Sequence, residues 1–153
     1  MVTFRKILVP VDFSPHSDEA LRVARELAKV FDASLTLINV FSPPIYPMPE
    51  GAFMVMPNAY AEAVAASTKH LDVIAAGVRA AGTAVETTVR EGIPFREIVA
   101  YARTAGSDLI VMGTHGRSGI KHALLGSVAE KVVRKAPCAV LTVRLSGHTF
   151  EHP

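Results

Sequence analysis

Short apolar stretches separated by segments of helical periodicity confine this chain to very few folds. The stretches are Ile7 to Val11, Ser34 to Val40, Thr83 to Val89, Asp108 to Met112 and Ala139 to Val143. Runs such as Leu109-Ile110-Val111-Met112 do not alternate with polar residues, the mark of a strand covered on both faces. Between the first two stretches, Ser14 and Pro15 supply an N-cap and a first helical residue, with Asp18 and Glu19 near the positive end of the helix dipole. Ala20, Ala24, Leu27 and Phe31 then repeat at helical spacing. A long helix is expected from near Asn58 to Gly82, with Val64, Leu71, Ala75 and Val78 on its inner stripe. Another opens at Gly92-Ile93-Pro94 and closes at Gly106, and a last one runs from about Leu125 to Lys135, stopped by Pro137. Five strands alternating with four helices predict an α/β fold, a parallel sheet with helices on both faces, because right-handed crossovers leave few alternatives. Pro10 is the one discordant residue, since proline cannot donate to a sheet ladder; its place just before Asp12 puts it at the end of the first strand.

A chain of 153 residues suits one domain, expected over residues 1–145, with a polar tail from Ser146 to Pro153 that frays. Half of the residues are hydrophobic and the net charge is only +2, with no basic stripe of the kind that holds nucleic acid. A single cysteine, Cys138, excludes an internal disulfide and a cysteine-rich zinc site, and its apolar neighbours favour a small packed side chain over a reactive thiol. The N-terminus shows no signal peptide or membrane helix, so a cytoplasmic protein is expected. Between Ser42 and Pro57 prolines accumulate, together with Met48, Met54 and Met56. That stretch reads as a long loop, either a lid or poorly ordered, and its methionines as a patch packed on the protein's own surface or an adaptable contact.

Ligands of open parallel sheets bind beyond the carboxyl ends of the strands, where the strand order reverses. Two loops there carry unusual chemistry, Asp12-Phe13-Ser14-Pro15-His16 and Gly113-Thr114-His115-Gly116-Arg117-Ser118-Gly119. The second leads on to Gly126-Ser127 at a helix start, so the glycines fall at Gly113, Gly116 and Gly126. Glycine permits positive φ and lets backbone approach a ligand, and a helix start offers free amides to phosphate oxygens. Ser127 adds a hydroxyl, and Arg117 could meet outer phosphates. The same spacing equally suits a tight turn followed by an ordinary helix start, and spacing alone does not choose between them. Asp12, a carboxylate at the end of a buried strand, must find donors; the alternative is a local capping role. His115 has no second histidine at metal-ligand spacing, and His16, His70, His122 and His148 lie in separate segments, so no protein-built metal site is expected.

Ile7 to Ser14, Asp108 to Gly119, Leu125 to Val132 and Ala136 to Val140 together closely resemble the universal stress protein family, in order from Phe4 to Arg144. In that family this glycine pattern marks the ATP-binding branch. The resemblance implies a three-layer α/β/α fold of the adenine nucleotide alpha hydrolase-like type, with a five-stranded parallel sheet in the order 3-2-1-4-5. It implies that Asp12 and Val40 hold the adenosine end, Val40 through its backbone, with Pro10 and Met112 lining the same pocket. Gly113, His115, Gly116, Gly126, Ser127 and Val128 would surround the ribose and phosphates, and Mg2+ would accompany the phosphates. It also implies a homodimer through the last strand, Ala139 to Val143, an apolar edge that would otherwise be exposed.

Enzymatic motifs are missing: the chain has no Gly-x-x-x-x-Gly-Lys-Ser/Thr loop, no Gly-x-Ser-x-Gly elbow and no His-Glu-x-x-His pair. The expected function is therefore an ATP-binding stress-response or signalling module whose occupancy is read by a protein partner or by the dimer. Its rivals are a slow ATPase or autophosphorylating enzyme, with Ser127 or Ser118 as acceptor, and a carrier of another adenine-containing ligand.

Overall fold

The computed structural model describes residues 1–42, 46–47, 53–54, 57–116 and 125–145. In chain order the elements are β1 (Lys6–Pro10), α1 (Pro15–Phe31), β2 (Ser34–Phe41), β3 (Tyr46–Pro47), β4 (Phe53–Met54), α2 (Pro57–Ala80) and β5 (Val85–Glu91). Then follow α3 (Pro94–Ala105), β6 (Leu109–Gly113), α4 (Ser127–Lys135) and β7 (Ala139–Val143). The main sheet is parallel throughout and ordered β5-β2-β1-β6-β7, so its strands, counted along the chain, run third, second, first, fourth, fifth as expected. One expectation fails between Ser42 and Pro57, where β3 and β4 form a small antiparallel pair, Tyr46 opposite Met54 and Pro47 opposite Phe53. Strands of two residues leave no periodicity for a sequence to display. Most of that stretch, with Met48 and Met56, lies outside the described residues, as do Arg117, Ser118, His122 and the tail from Ser146.

Alternation along the strands divides the core into two layers. Ile7, Val9, Val11, Leu35, Leu37, Leu109 and Val111 face one side, where Ala20, Ala24 and Ala28 of α1 and Leu71, Ala75 and Val78 of α2 cover them. Leu8, Ile38, Ile110 and Met112 face the other, against Ile98 and Ala102 of α3 and Ala129 and Val132 of α4. Both faces of the sheet are thereby buried, which is why its central strands are apolar without interruption. Helix α1 starts as the sequence suggests: Ser14 is the N-cap, Pro15 occupies the first turn, and the Ser17 amide donates to Ser14 Oγ at 3.3 Å. No helix among the described residues is long and apolar enough to cross a membrane.

Pro10 turns out to mark the place where the sheet opens. Pairing of β1 with β2 continues to Pro10 opposite Ile38, and the Val11 amide still donates to Ile38 O at 2.8 Å. Pairing of β1 with β6 ends two residues earlier, at Leu8 opposite Ile110. Successive amides of a strand point to opposite sides, so the donor that proline lacks is the one that would have faced β6. The central strands separate there, and the space between their ends is where the strand order reverses.

Candidate functional site

Beyond the separated ends of β1 and β6 lies a cavity of about 340 Å³. Pro10 and Asp12 enter it from the end of β1, Val40 from β2, and Met112 and Gly113 from β6. His115 and Gly116 line it from the following loop, and Gly126, Ser127 and Val128 from the start of α4. All the site residues expected from the sequence, apart from Arg117, which lies outside the described residues, are thus brought to one space.

The Asp12 turn is built locally. Asp12 Oδ1 accepts hydrogen bonds from the Ser14 amide at 3.1 Å and from the Ser14 hydroxyl at 2.5 Å, closing the turn that leads into α1. The capping alternative therefore describes one oxygen of the carboxylate. The other oxygen, Oδ2, lies against the second loop, and a Cβ placed on Gly116 would come within 2.9 Å of it. The two loops singled out from the sequence meet at this contact.

The site glycines serve close approach. None of Gly113, Gly116 and Gly126 has a positive φ; among the described residues the glycines that do are Gly82, Gly92 and Gly106, none of which lines the cavity. A Cβ on Gly113 would lie 2.9 Å from both Cβ and the carbonyl oxygen of His16, so this glycine lets the first turn of α1 sit on the end of β6. At Gly126 a Cβ would come within 3.0 Å of Thr114 O and 3.3 Å of His115 Cα. The Gly126 amide donates to Thr114 O at 2.6 Å, tying the start of α4 to the loop after β6. Conformational freedom, one of the two reasons offered for these glycines above, is not the one they use.

Helix α4 begins at the cavity without a side-chain cap: its N-cap, Gly126, has extended backbone (φ −67°, ψ 155°) and contributes no side-chain bond. First-turn amides normally need an external acceptor, and here they stand beside a space lined by Ser127, Val128 and Ala129. Uncapped amides and the helix dipole suit an anion. Ile38, Val40, Ile98 and Met112 add apolar surface to the lining. A lining that combines apolar side chains with the main-chain donors of a helix start suits a ligand that joins an apolar part to an anion.

The loop after β6 is held at its root. The buried Thr114 donates its amide to Val143 O at 3.0 Å, and its hydroxyl lies 3.1 Å from His115 Nδ1. The His115 ring is 5.6 Å from that of His16, whose buried Nδ1 has no hydrogen-bond partner among the described residues. Among the described residues no group of three or more potential metal ligands converges. Cys138 is half-buried against the α3–α4 core layer, and burial, with a smaller contribution from Asp108, pushes its thiol above the usual range.

Several lining residues escaped the sequence reading. Asn39 is buried in β2 and donates Nδ2 to Val11 O at 2.7 Å, fixing the backbone next to Asp12. A lone amide in an otherwise apolar strand was its available signal. Ile98 and Pro94 also line the cavity, and Ile98 belongs to the core as well, so periodicity assigns it to packing alone.

Residues 3–144 match the Universal stress protein family. Among known proteins, the universal stress protein MJ0531 of Methanocaldococcus jannaschii is 38% identical over 143 residues, covering 92% of this chain and 82% of that protein. Among solved structures, universal stress protein UspA from Lactobacillus plantarum gives a TM-score of 0.79 at 28% identity, covering 94% of this chain and 100% of that one. A universal stress protein in complex with cAMP gives a TM-score of 0.63 at 26% identity, over 94% of this chain and 98% of that one. With a sheet order, two loop signatures and nearly its whole length in agreement, the chain belongs to the universal stress protein family.

Proposed function

We propose that this protein is an ATP-binding universal stress protein, a module whose nucleotide occupancy is read by a partner or by its own dimer in a cytoplasmic stress response. The observation that carries the reading is the meeting of the Asp12 turn with Gly116 beside the uncapped start of α4. Adenine lies against Val40, Pro10 and Met112, with Asp12 accepting from the base or ribose. Gly113, His115, Gly116, Gly126, Ser127 and Val128 surround the ribose and phosphates, chiefly through main-chain amides, and Arg117 reaches the outer phosphates. The fit is to an anion and not to a bare metal ion: the start of α4 borders the cavity, while no set of metal-binding side chains converges among the described residues. Magnesium therefore accompanies the phosphates as their counterion.

The tests are direct. Purified protein, denatured by heat, is expected to release an adenine nucleotide, and titration calorimetry is expected to show saturable ATP binding. Asp12→Asn keeps one oxygen for Ser14 but removes the charge, so ATP affinity should fall about tenfold or more, the value of a hydrogen bond to a charged group. Equal affinities for the variant and the parent would remove Asp12 from the site.

A second reading has an observation behind it. The similar protein solved with cAMP makes another adenine nucleotide a real competitor for the same space. Calorimetry with cAMP alongside ATP separates the two, because a cyclic monophosphate cannot reach Ser127 and Arg117 with a β- or γ-phosphate.

We further propose a homodimer through Ala139 to Val143, within a domain comprising residues 1–145. Strand β7 is an edge of the sheet, and it leaves Leu141 exposed, as α4 leaves Val133. Exposed edges with apolar side chains invite a second chain. A sedimentation mass of one chain at micromolar concentration contradicts the dimer.

A further inference from the structure

Phe13 has a backbone conformation that a bulky residue rarely adopts, φ +63°, between the proposed nucleotide contact Asp12 and the N-cap Ser14. Left-handed backbone at an aromatic residue persists only where surrounding contacts hold it. Here the contact is visible. The Phe13 ring stacks on the imidazole of His70 in α2, with centroids 4.1 Å apart and planes 4° from parallel. His70 is exposed, but the next residue, Leu71, is fully buried in the core, so α2 presents the imidazole from a fixed point. The hydrogen bonds from Ser14 to Asp12 Oδ1 span Phe13, so the torsions of Phe13 decide where the Asp12 carboxylate lies relative to Gly116.

We infer that His70 is a positioning residue for nucleotide binding: by stacking on Phe13 it holds the Asp12 turn in its left-handed form and sets Asp12 against Gly116. The inference rests on the nucleotide reading above and adds to it a residue from a helix that does not line the cavity. It also links α2, which begins at Pro57 where the proline-rich stretch ends, to the binding turn.

The experiment is a double-mutant cycle read in two ways. His70→Ala should weaken ATP binding roughly fivefold, within the range of an aromatic pair. In ligand-free protein it should also shift the backbone amide resonance of Gly116. His70→Phe, which keeps a flat ring, should restore both. Glycine tolerates positive φ without help, so in a Phe13→Gly background His70→Ala should change neither readout. A lowered melting temperature with unchanged affinity and an unmoved Gly116 resonance would make the stack merely structural and overturn the inference. An undiminished effect of His70→Ala in the Phe13→Gly background would overturn it too. If the parent protein binds no ATP, the nucleotide reading falls, and the Gly116 resonance still decides whether His70 sets the turn.

Discussion

Gly126→Val is expected to weaken ATP binding by about 30-fold or more, roughly the loss of one hydrogen bond to a charged group. The added Cβ would stand 3.0 Å from Thr114 O and 3.3 Å from His115 Cα, both backbone atoms, and valine adds two methyl groups to that crowding. The start of α4 and the Thr114–His115 backbone would have to draw apart, straining the 2.6 Å bond from the Gly126 amide to Thr114 O. Every amide proposed to meet phosphate belongs either to this helix start or to the loop it is bonded to. Displacing one from the other removes their convergence even though each still has its donors. Calorimetry measures the affinity, and circular dichroism should show that the helix content is retained. Undiminished affinity would exclude α4 from the phosphate site.

The second large effect is on stability. Gly113→Val would drive a Cβ to 2.9 Å from both Cβ and the carbonyl oxygen of His16, and two of the three nearest atoms are backbone, which cannot swing aside. Overpacking of this kind costs about 2–3 kcal/mol, which in a chain of this size lowers the melting temperature by roughly 5–10 °C. Gly77→Ala supplies the opposite case: nothing lies within 4 Å of its Cβ position in α2, and alanine is the better helix former. It should raise stability by about 0.5–1 kcal/mol. Thermal melts of the two variants beside the parent test the claim that Gly113 is required for packing. A Gly113→Val protein as stable as the parent contradicts it.

Sequence and structure agree where physical constraints are strong and local. Leu109 to Met112 could hardly be anything but a central buried strand, and Ser14-Pro15 could hardly fail to start a helix, because capping and proline geometry act within a few residues. The strand order came from the resemblance, since apolar runs alone do not say which strands are neighbours. Asp12 and the glycines stood out in the sequence as candidates, because a carboxylate after a buried strand and glycines after another fall where open parallel sheets bind ligands, although spacing alone left a tight turn and a local capping role open. Their geometry was not legible. That Gly113 faces His16, or Gly116 faces Asp12, depends on contacts between segments about a hundred residues apart. Phe13 and His70 illustrate the same limit: neither residue carries a local signal of the stack, which exists only because α1 and α2 share one face of the sheet. Ile98 was missed because a residue that serves both core and cavity looks, in sequence, like core alone, and Asn39 because the hydrogen bond that gives it a role reaches Val11 O, just past the end of the neighbouring strand.

The most direct test follows backbone amide resonances while ATP and magnesium are added to isotope-labelled protein. Saturable shifts should concentrate at Gly113, Gly116, Ser127 and Val128, with a second group at Asp12 and Val40, and leave the opposite ends of the strands near Lys6 and Ser34 unmoved. Shifts confined to other surfaces, or none at millimolar nucleotide, would contradict the joining of these two turns into a nucleotide site.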